Sequence, residues 1–248
     1  MAFRWRRLED FLSGTEILTG ATIAFDLDGT LVDTAPDLIG TLNHILIEEG
    51  LPPLPFEAAR PFIGHGARRL LEKGLHAQGQ ALEEKRLDGL LARFIDHYSQ
   101  HSSDLSRPFP GVVEALTVLK AAGAHLSVCT NKLTGLSVPI LDALGLSPFF
   151  DSVIGADLAP APKPDPRHLI KAVETAGGQI DRAIMVGDAS TDAGAARAAG
   201  AHLILVSFGY TEIPAADLQP DRLIDHYDQL VAACITLLSP CPEPNRGL

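Results

Sequence analysis

The chain has 248 residues, 46% hydrophobic and 21% charged, with 20 basic against 31 acidic side chains and a formal net charge of −11. That size and apolar content suit one large domain or two modest ones with a full core. The negative balance argues against non-specific nucleic-acid binding and against an anionic membrane surface. Any site for an anionic ligand therefore has to be concentrated in a few local groups, namely N–H donors, a lysine or a metal. Cys129, Cys234 and Cys241 are odd in number and lack metal-type spacing. No run approaches about 18 consecutive apolar residues, so no spanning helix is expected. The N-terminus is basic but is followed by acids rather than an apolar stretch, which makes a cytoplasmic location the default.

Residues 1–19 read as a short extension, with Leu8, Phe11 and Leu12 in an amphipathic turn or two. A strand is expected over 21–26, where Ala21-Thr22-Ile23-Ala24 leads into Phe25-Asp26-Leu27-Asp28-Gly29-Thr30-Leu31. From 34 to 106 the spacing is helical throughout. Leu38, Leu42, Ile45 and Leu46 mark a helix over 35–49 that stops at Gly50 before Pro52-Pro53. A short helix or turn over 57–63 and helices over 67–75 and 82–98 follow, the last with a stripe of Leu87, Leu90, Leu91, Phe94 and Ile95. After Pro108-Phe109-Pro110-Gly111, helices at 111–122, 134–144, 166–176 and 191–199 alternate with strands at 125–130, 153–154, 183–186 and 203–206. Such alternation predicts an α/β fold, a parallel sheet covered on both faces. Its core would comprise 20–33 and 107–238, with a helical subdomain, 34–106, threaded in through connections near 33 and 107. Pro108 and Pro110 stiffen the second connection. Residues 239–248 read as a disordered tail.

Open parallel sheets bind ligands beyond the carboxyl ends of their strands. The first strand runs into Asp26-Leu27-Asp28, the second into Thr130-Asn131-Lys132, and the fourth into Gly187-Asp188, with Asp192 four residues on. Between the third and fourth lies Pro162-Lys163-Pro164-Asp165-Pro166, a stiff loop presenting one lysine. Asp26 and Asp28 leave the strand end toward one side, and Gly29 allows a sharp turn with a close N–H. Two carboxylates aimed at one spot repel unless a cation or shared proton lies between them. Singly, each segment has a plain reading: a solvated turn, an exposed loop lysine, a strand end that caps a helix. Their coincidence on one sheet edge points to chemistry.

Asp26, Asp28 and Asp188 are hard oxygen ligands suited to Mg²⁺. Asp188 and Asp192 stand at i and i+4 of a helix start, where anions suit the dipole. Lys163 and Thr130 offer a cation and a donor for phosphate oxygens, and Gly29 and Asn131 can add backbone N–H groups. A carboxylate beside a metal and a bound phosphate can attack phosphorus and form an aspartyl-phosphate. A second carboxyl can protonate the leaving alkoxide and then deprotonate water. Asp33 is a candidate hinge or helix cap. His44, His97, His101, His168 and His226 read as surface or core residues.

These four segments, with a helical insert after the first, resemble the motifs of the haloacid dehalogenase-like hydrolase superfamily over residues 20–235. Val32-Asp33-Thr34-Ala35-Pro36-Asp37-Leu38 and Phe62-Ile63-Gly64-His65-Gly66-Ala67-Arg68 are most similar to its phosphoglycolate phosphatases. The resemblance implies a Rossmann-like core with a helical cap. It also implies Asp26 as nucleophile, Asp28 as acid/base, and Mg²⁺ held by the Asp26 side chain, the Asp28 carbonyl and Asp188. Thr130, Asn131 and Lys163 would bind phosphate, with Asp192 supporting metal and lysine. The implied activity is hydrolysis of a small phosphorylated metabolite, foremost 2-phosphoglycolate, by a monomer or homodimer without nucleic-acid or membrane partners. In the cap, Gly64-His65-Gly66 opens a helix whose N–H groups can face a second anionic group, and Arg68 adds a cation. The alternatives are a phosphosugar mutase, a phosphonoacetaldehyde hydrolase, or a non-catalytic phosphate-binding module. The second needs a cap lysine, and Lys73 and Lys85 both lie away from the Gly64 loop.

Overall fold

In the computed structural model the described residues are 14–81, 83–211 and 213–240. Leu8, Phe11, Leu12, Leu82, Cys241 and the tail from 241 lie outside them. Thr22–Phe25 forms β1, buried at every position, as its run of apolar and β-branched residues requires. The chain then turns into the two-residue strand β2 (Val32–Asp33) and enters four helices: α1 (Ala35–Glu48), α2 (Phe56–Ala59), α3 (Ala67–Ala77) and α4 (Glu84–His101). It returns through β3 (Arg107–Pro108), which pairs antiparallel with β2, Val32 opposite Pro108 and Asp33 opposite Arg107. The two connections foreseen near 33 and 107 are thus one short ribbon. Asp37 of α1 fastens it by accepting from Leu105 N, Ser106 N and Ser106 Oγ (2.6–3.1 Å).

Beyond the ribbon the alternation appears as expected: α5 (Val112–Ala121), β4 (His125–Cys129), α6 (Thr134–Ala143), β5 (Ser152–Ile154), α7 (Pro166–Thr175), β6 (Ala183–Gly187), α8 (Ser190–Ala199) and β7 (His202–Val206). Two further elements carried no sequence expectation, β8 (Arg222–Ile224) and α9 (Leu230–Leu238). β8 is short and half exposed, which leaves no run of alternating residues to betray it. The six long-sheet strands run parallel in the order β5-β4-β1-β6-β7-β8.

Strand side chains alternate between two apolar layers. Ile23 and Phe25 join Leu116, Leu119, Ile140 and Leu141 of α5 and α6. Ala24 joins Met185, Leu203, Leu205 and, from α7 and α8, Leu169, Val173 and Ala196. The first layer continues into the four-helix insert through Leu42, Leu46, Leu71, Leu90 and Phe94. Since β1 is central, its carboxyl end is flanked by the ends of β4 and β6, so three of the four motif segments converge by topology. No helix of the described residues is long and apolar enough to cross a membrane.

Candidate active site

Asp26 follows β1 directly, and its N–H still donates to Val186 O across the sheet (2.9 Å), so the ladder fixes its position. Its Oδ1 accepts from Leu27 N (2.7 Å) and lies 3.0 Å from Lys163 Nζ. The same ammonium, fully buried, donates to Asp192 Oδ1 at 2.6 Å. Burial pulls the Lys163 pKa down, but Asp192 and Asp26 outweigh it and hold the ammonium above its ordinary value. Asp192 Oδ2 accepts from Asp188 N and Ala189 N (both 3.1 Å), closing the turn into α8. Asp188 in turn accepts from Thr30 Oγ1 (3.2 Å) and from Tyr210 N (2.6 Å).

Asp26, Asp188 and Asp192 place carboxylate oxygens within 4.8 Å of one another, all three buried. Burial pushes the Asp26 carboxyl up to about 7 against the pull of Lys163, while the charges of Asp192 and Asp28 add to the rise. Burial and the neighbouring carboxylates Asp192 and Asp26 push Asp188 well above the ordinary range.

Asp28 turns to a different cation. Lys132 Nζ donates to its Oδ1 and Oδ2 at 2.9 and 3.2 Å, and Thr34 Oγ1 donates to Oδ1 at 2.6 Å. Lys132 also stands 4.5 Å from the ring centre of Tyr98, a residue of α4. Sequence reasoning passed over Lys132 although it follows Thr130-Asn131, because nothing local says which acid a lysine will meet 104 residues away. Tyr210 was missed likewise. It donates its hydroxyl to Asp33, accepts from Ala35 N (3.1 Å), and offers its N–H to Asp188. The Asp33 side chain is therefore bonded to Tyr210 and is not the cap of α1, whose N-cap is Thr34.

Thr130 is buried, and its Oγ1 accepts from Lys132 N (3.2 Å). The Asn131 side chain clamps the lysine loop at both poles, accepting from Lys163 N (2.8 Å) and donating to Lys163 O (3.1 Å). The Gly29 N–H, expected as a phosphate donor, instead donates to Val32 O (3.0 Å) to close the turn. What Gly29 supplies is space. It has φ +81°, and a Cβ there would stand 2.5 Å from Asp188 Oδ2. The cap loop reaches this edge: a Cβ on Gly66 would lie 3.3 Å from Asn131 O, and one on Gly64 3.9 Å from Ala189 Cβ.

A cavity of about 410 Å³ opens here between sheet edge and helices, lined by Asp28, Asn131, Lys132 and Lys163 below and by Gly64, His65, Gly66, Arg68 and Tyr98 above. Arg68 Nη2 is engaged by Asp88 and, at 3.8 Å, by Glu84, whereas its Nη1 is buried without a hydrogen-bond partner. The floor and wall together bring four carboxylates against two ammonium groups, two positive charges short of neutral. Buried oxygen donors with that deficit fit a small divalent cation.

Known proteins resemble this chain in sequence and fold. The haloacid dehalogenase-like hydrolase family model matches residues 23–206. A phosphoglycolate phosphatase of Caulobacter vibrioides is 59% identical over 231 residues, covering 93% of this chain and 98% of that protein. One from Mesorhizobium japonicum is 44% identical over 208 residues, 84% of this chain and 92% of its own. The crystal structure of a predicted phosphoglycolate phosphatase from Haemophilus somnus superposes with a TM-score of 0.79 at 31% identity, over 86% of this chain and 96% of that one. The chain belongs to the haloacid dehalogenase-like hydrolase family, among its phosphatases.

Proposed function

We propose that this phosphatase hydrolyses 2-phosphoglycolate to glycolate and phosphate through an aspartyl-phosphate on Asp26. The observation that carries the reading is the placement of Asp26, fixed by the sheet and held by Lys163, two residues from a second carboxylate, Asp28, that faces the cavity. The Asp26 carboxylate attacks phosphorus, and the ester P–O bond breaks toward the substrate alkoxide, which takes a proton from Asp28. Asp28, now a base, deprotonates a water that attacks phosphorus, and Asp26 leaves as carboxylate. Lys163, Thr130 and the Asn131 backbone bind the phosphoryl oxygens. Asp192 holds Lys163 and the Asp188 turn in place. Mg²⁺, held by the Asp26 side chain, the Asp28 carbonyl and Asp188, would neutralise the surplus charge and draw density from the phosphoryl oxygens.

Gly64, His65, Gly66 and Arg68 close over the non-phosphate end of the substrate, and closure excludes bulk water from the intermediate. The names of the relatives and the buried donors of the cavity roof support a carboxylated substrate over a neutral sugar phosphate. The enzyme acts in the cytoplasm, as a monomer or homodimer, without nucleic-acid or membrane partners. The test is phosphate release from a panel of small esters, with Mg²⁺ and after chelation. Asp26→Asn should abolish turnover and Asp28→Asn should trap or greatly slow the phosphoenzyme. Hydrolysis at the wild-type rate by Asp26→Asn would refute the mechanism, and a sugar bisphosphate requirement for turnover would turn the reading to a mutase.

A further inference from the structure

Three donor side chains meet at the cavity, one on its floor and two in its roof. Lys132 carries three N–H bonds, of which Asp28 takes two. Tyr98 Oη is buried beside that ammonium and its own O–H has no acceptor, and Arg68 Nη1 is buried without a partner. All three residues line the one cavity. Buried donors left without partners are costly, and here they surround a space that an anion could fill. Lys163 cannot serve that space, since its ammonium lies between Asp26 and Asp192 at the floor.

We propose that Lys132, from the end of β4, and Tyr98, from α4, form the subsite for the substrate carboxylate. The inference rests on the reading of the substrate as 2-phosphoglycolate. It follows from bond counting in that molecule. Asp28 must touch the bridging ester oxygen to protonate it, and the carboxylate carbon is two bonds from that oxygen. A cation bonded to Asp28 is therefore beside the carboxylate, and Lys132 is that cation, 2.9 Å from Asp28 Oδ1. The Lys132 ammonium supplies a counter-charge for that carboxylate and the Tyr98 O–H a hydrogen bond, one from the core and one from the helical insert. Lys132 is 5% exposed, which keeps the pair largely out of water and strengthens its discrimination. Tyr98 against the same ammonium ties recognition to the position of α4, so a substrate lacking the carboxylate would not draw core and cap together there. Arg68, held by Asp88 and Glu84, is left a subsidiary place at the rim.

The experiment compares 2-phosphoglycolate with 2-hydroxyethyl phosphate, in which CH2OH replaces the carboxylate. Lys132→Met should raise KM for 2-phosphoglycolate about 100-fold, the usual scale for truncating one partner of a buried charge pair. It should shrink the preference between the two esters by a similar factor. Tyr98→Phe should shrink that preference about tenfold, the scale of a hydrogen bond to a charged group, and Lys132→Arg should restore part of it. Equal losses on both esters in Lys132→Met would mean that Lys132 acts only through Asp28, and would overturn the subsite. So would a preference that survives Lys132→Met and collapses in Arg68→Met. Wild-type enzyme showing no preference would instead remove the substrate reading itself. Should Lys132→Met not fold, inhibition of wild type and Tyr98→Phe by 3-phosphonopropionate against propylphosphonate decides the matter: 3-phosphonopropionate should bind about 100-fold more tightly to wild type, and an unchanged ratio in Tyr98→Phe overturns the proposal.

Discussion

Acid should weaken this fold through His168. The residue is completely buried on α7, where its Nε2–H donates to Ile154 O at the end of β5 (3.0 Å), while Nδ1 is buried without a partner. That bond anchors one end of the loop that carries Lys163. Burial lowers the His168 pKa from 6.5 to about 4, against the pull of the Ile154 carbonyl. Above pH 6.5 the imidazole is neutral folded or unfolded, and titration contributes nothing. As pH falls below that value the unfolded chain binds a proton that the folded chain refuses, so stability is lost progressively and the loss is complete near pH 4. Between pH 7 and 5 the two pKa values give about 2 kcal/mol, which for ordinary urea slopes lowers the unfolding midpoint by roughly 1 M. His168→Gln keeps an N–H for the Ile154 carbonyl and cannot titrate. Urea unfolding followed by circular dichroism, at pH 7 and 5 for both proteins, isolates the imidazole, because every other acid titrates in both. A loss in His168→Gln as large as in wild type would refute the reasoning.

Gly29→Ala forces a side chain onto φ +81° with its Cβ 2.5 Å from Asp188 Oδ2. Phosphate release should fall at least about tenfold and stability by about 1–2 kcal/mol. Gly89→Ala, on an exposed stretch of α4 with open space around it, is the control and should be neutral or slightly stabilising in thermal unfolding. Lys163→Met leaves Asp26 and Asp192 without their shared counter-charge. Breaking a buried pair from one side costs about 3–5 kcal/mol, so the melting temperature should drop by roughly 10 °C and phosphate release should vanish. A melting temperature within about 2 °C of wild type would show that the two carboxylates simply take up protons instead.

The alternation of strands and helices and the residues at the strand ends are legible in the chain order alone. Periodicity is a local property, and a central parallel strand is buried along its whole length and reads as a run of apolar and β-branched residues, as Thr22–Phe25 does. Asp26, Asp28, Lys163 and Asp188 could be singled out because each ends or follows such an element. What chain order could not state was which charge meets which. Asp28 pairs with Lys132 across 104 residues, and Tyr210 reaches Asp33 across 177. The Gly29 N–H is consumed by Val32 O, a turn bond that overrides the donor role its position suggested. β8 was hidden because three residues, two exposed and one buried, carry no pattern, and the β2–β3 ribbon because two-residue strands carry none either.

By itself, then, the sequence determined the α/β order, the helical insert and the acids and lysine at the strand ends. Backbone periodicity and strand-end geometry act over a few residues and leave their mark in composition. The tertiary structure alone decided the pairing of Asp28 with Lys132, the clamp of Asn131 on Lys163, and the unmatched donors of Tyr98 and Arg68 in the cavity roof. The first two depend on which strands lie side by side in the sheet and the last on how the insert packs over it, and such packing joins residues that no local spacing relates.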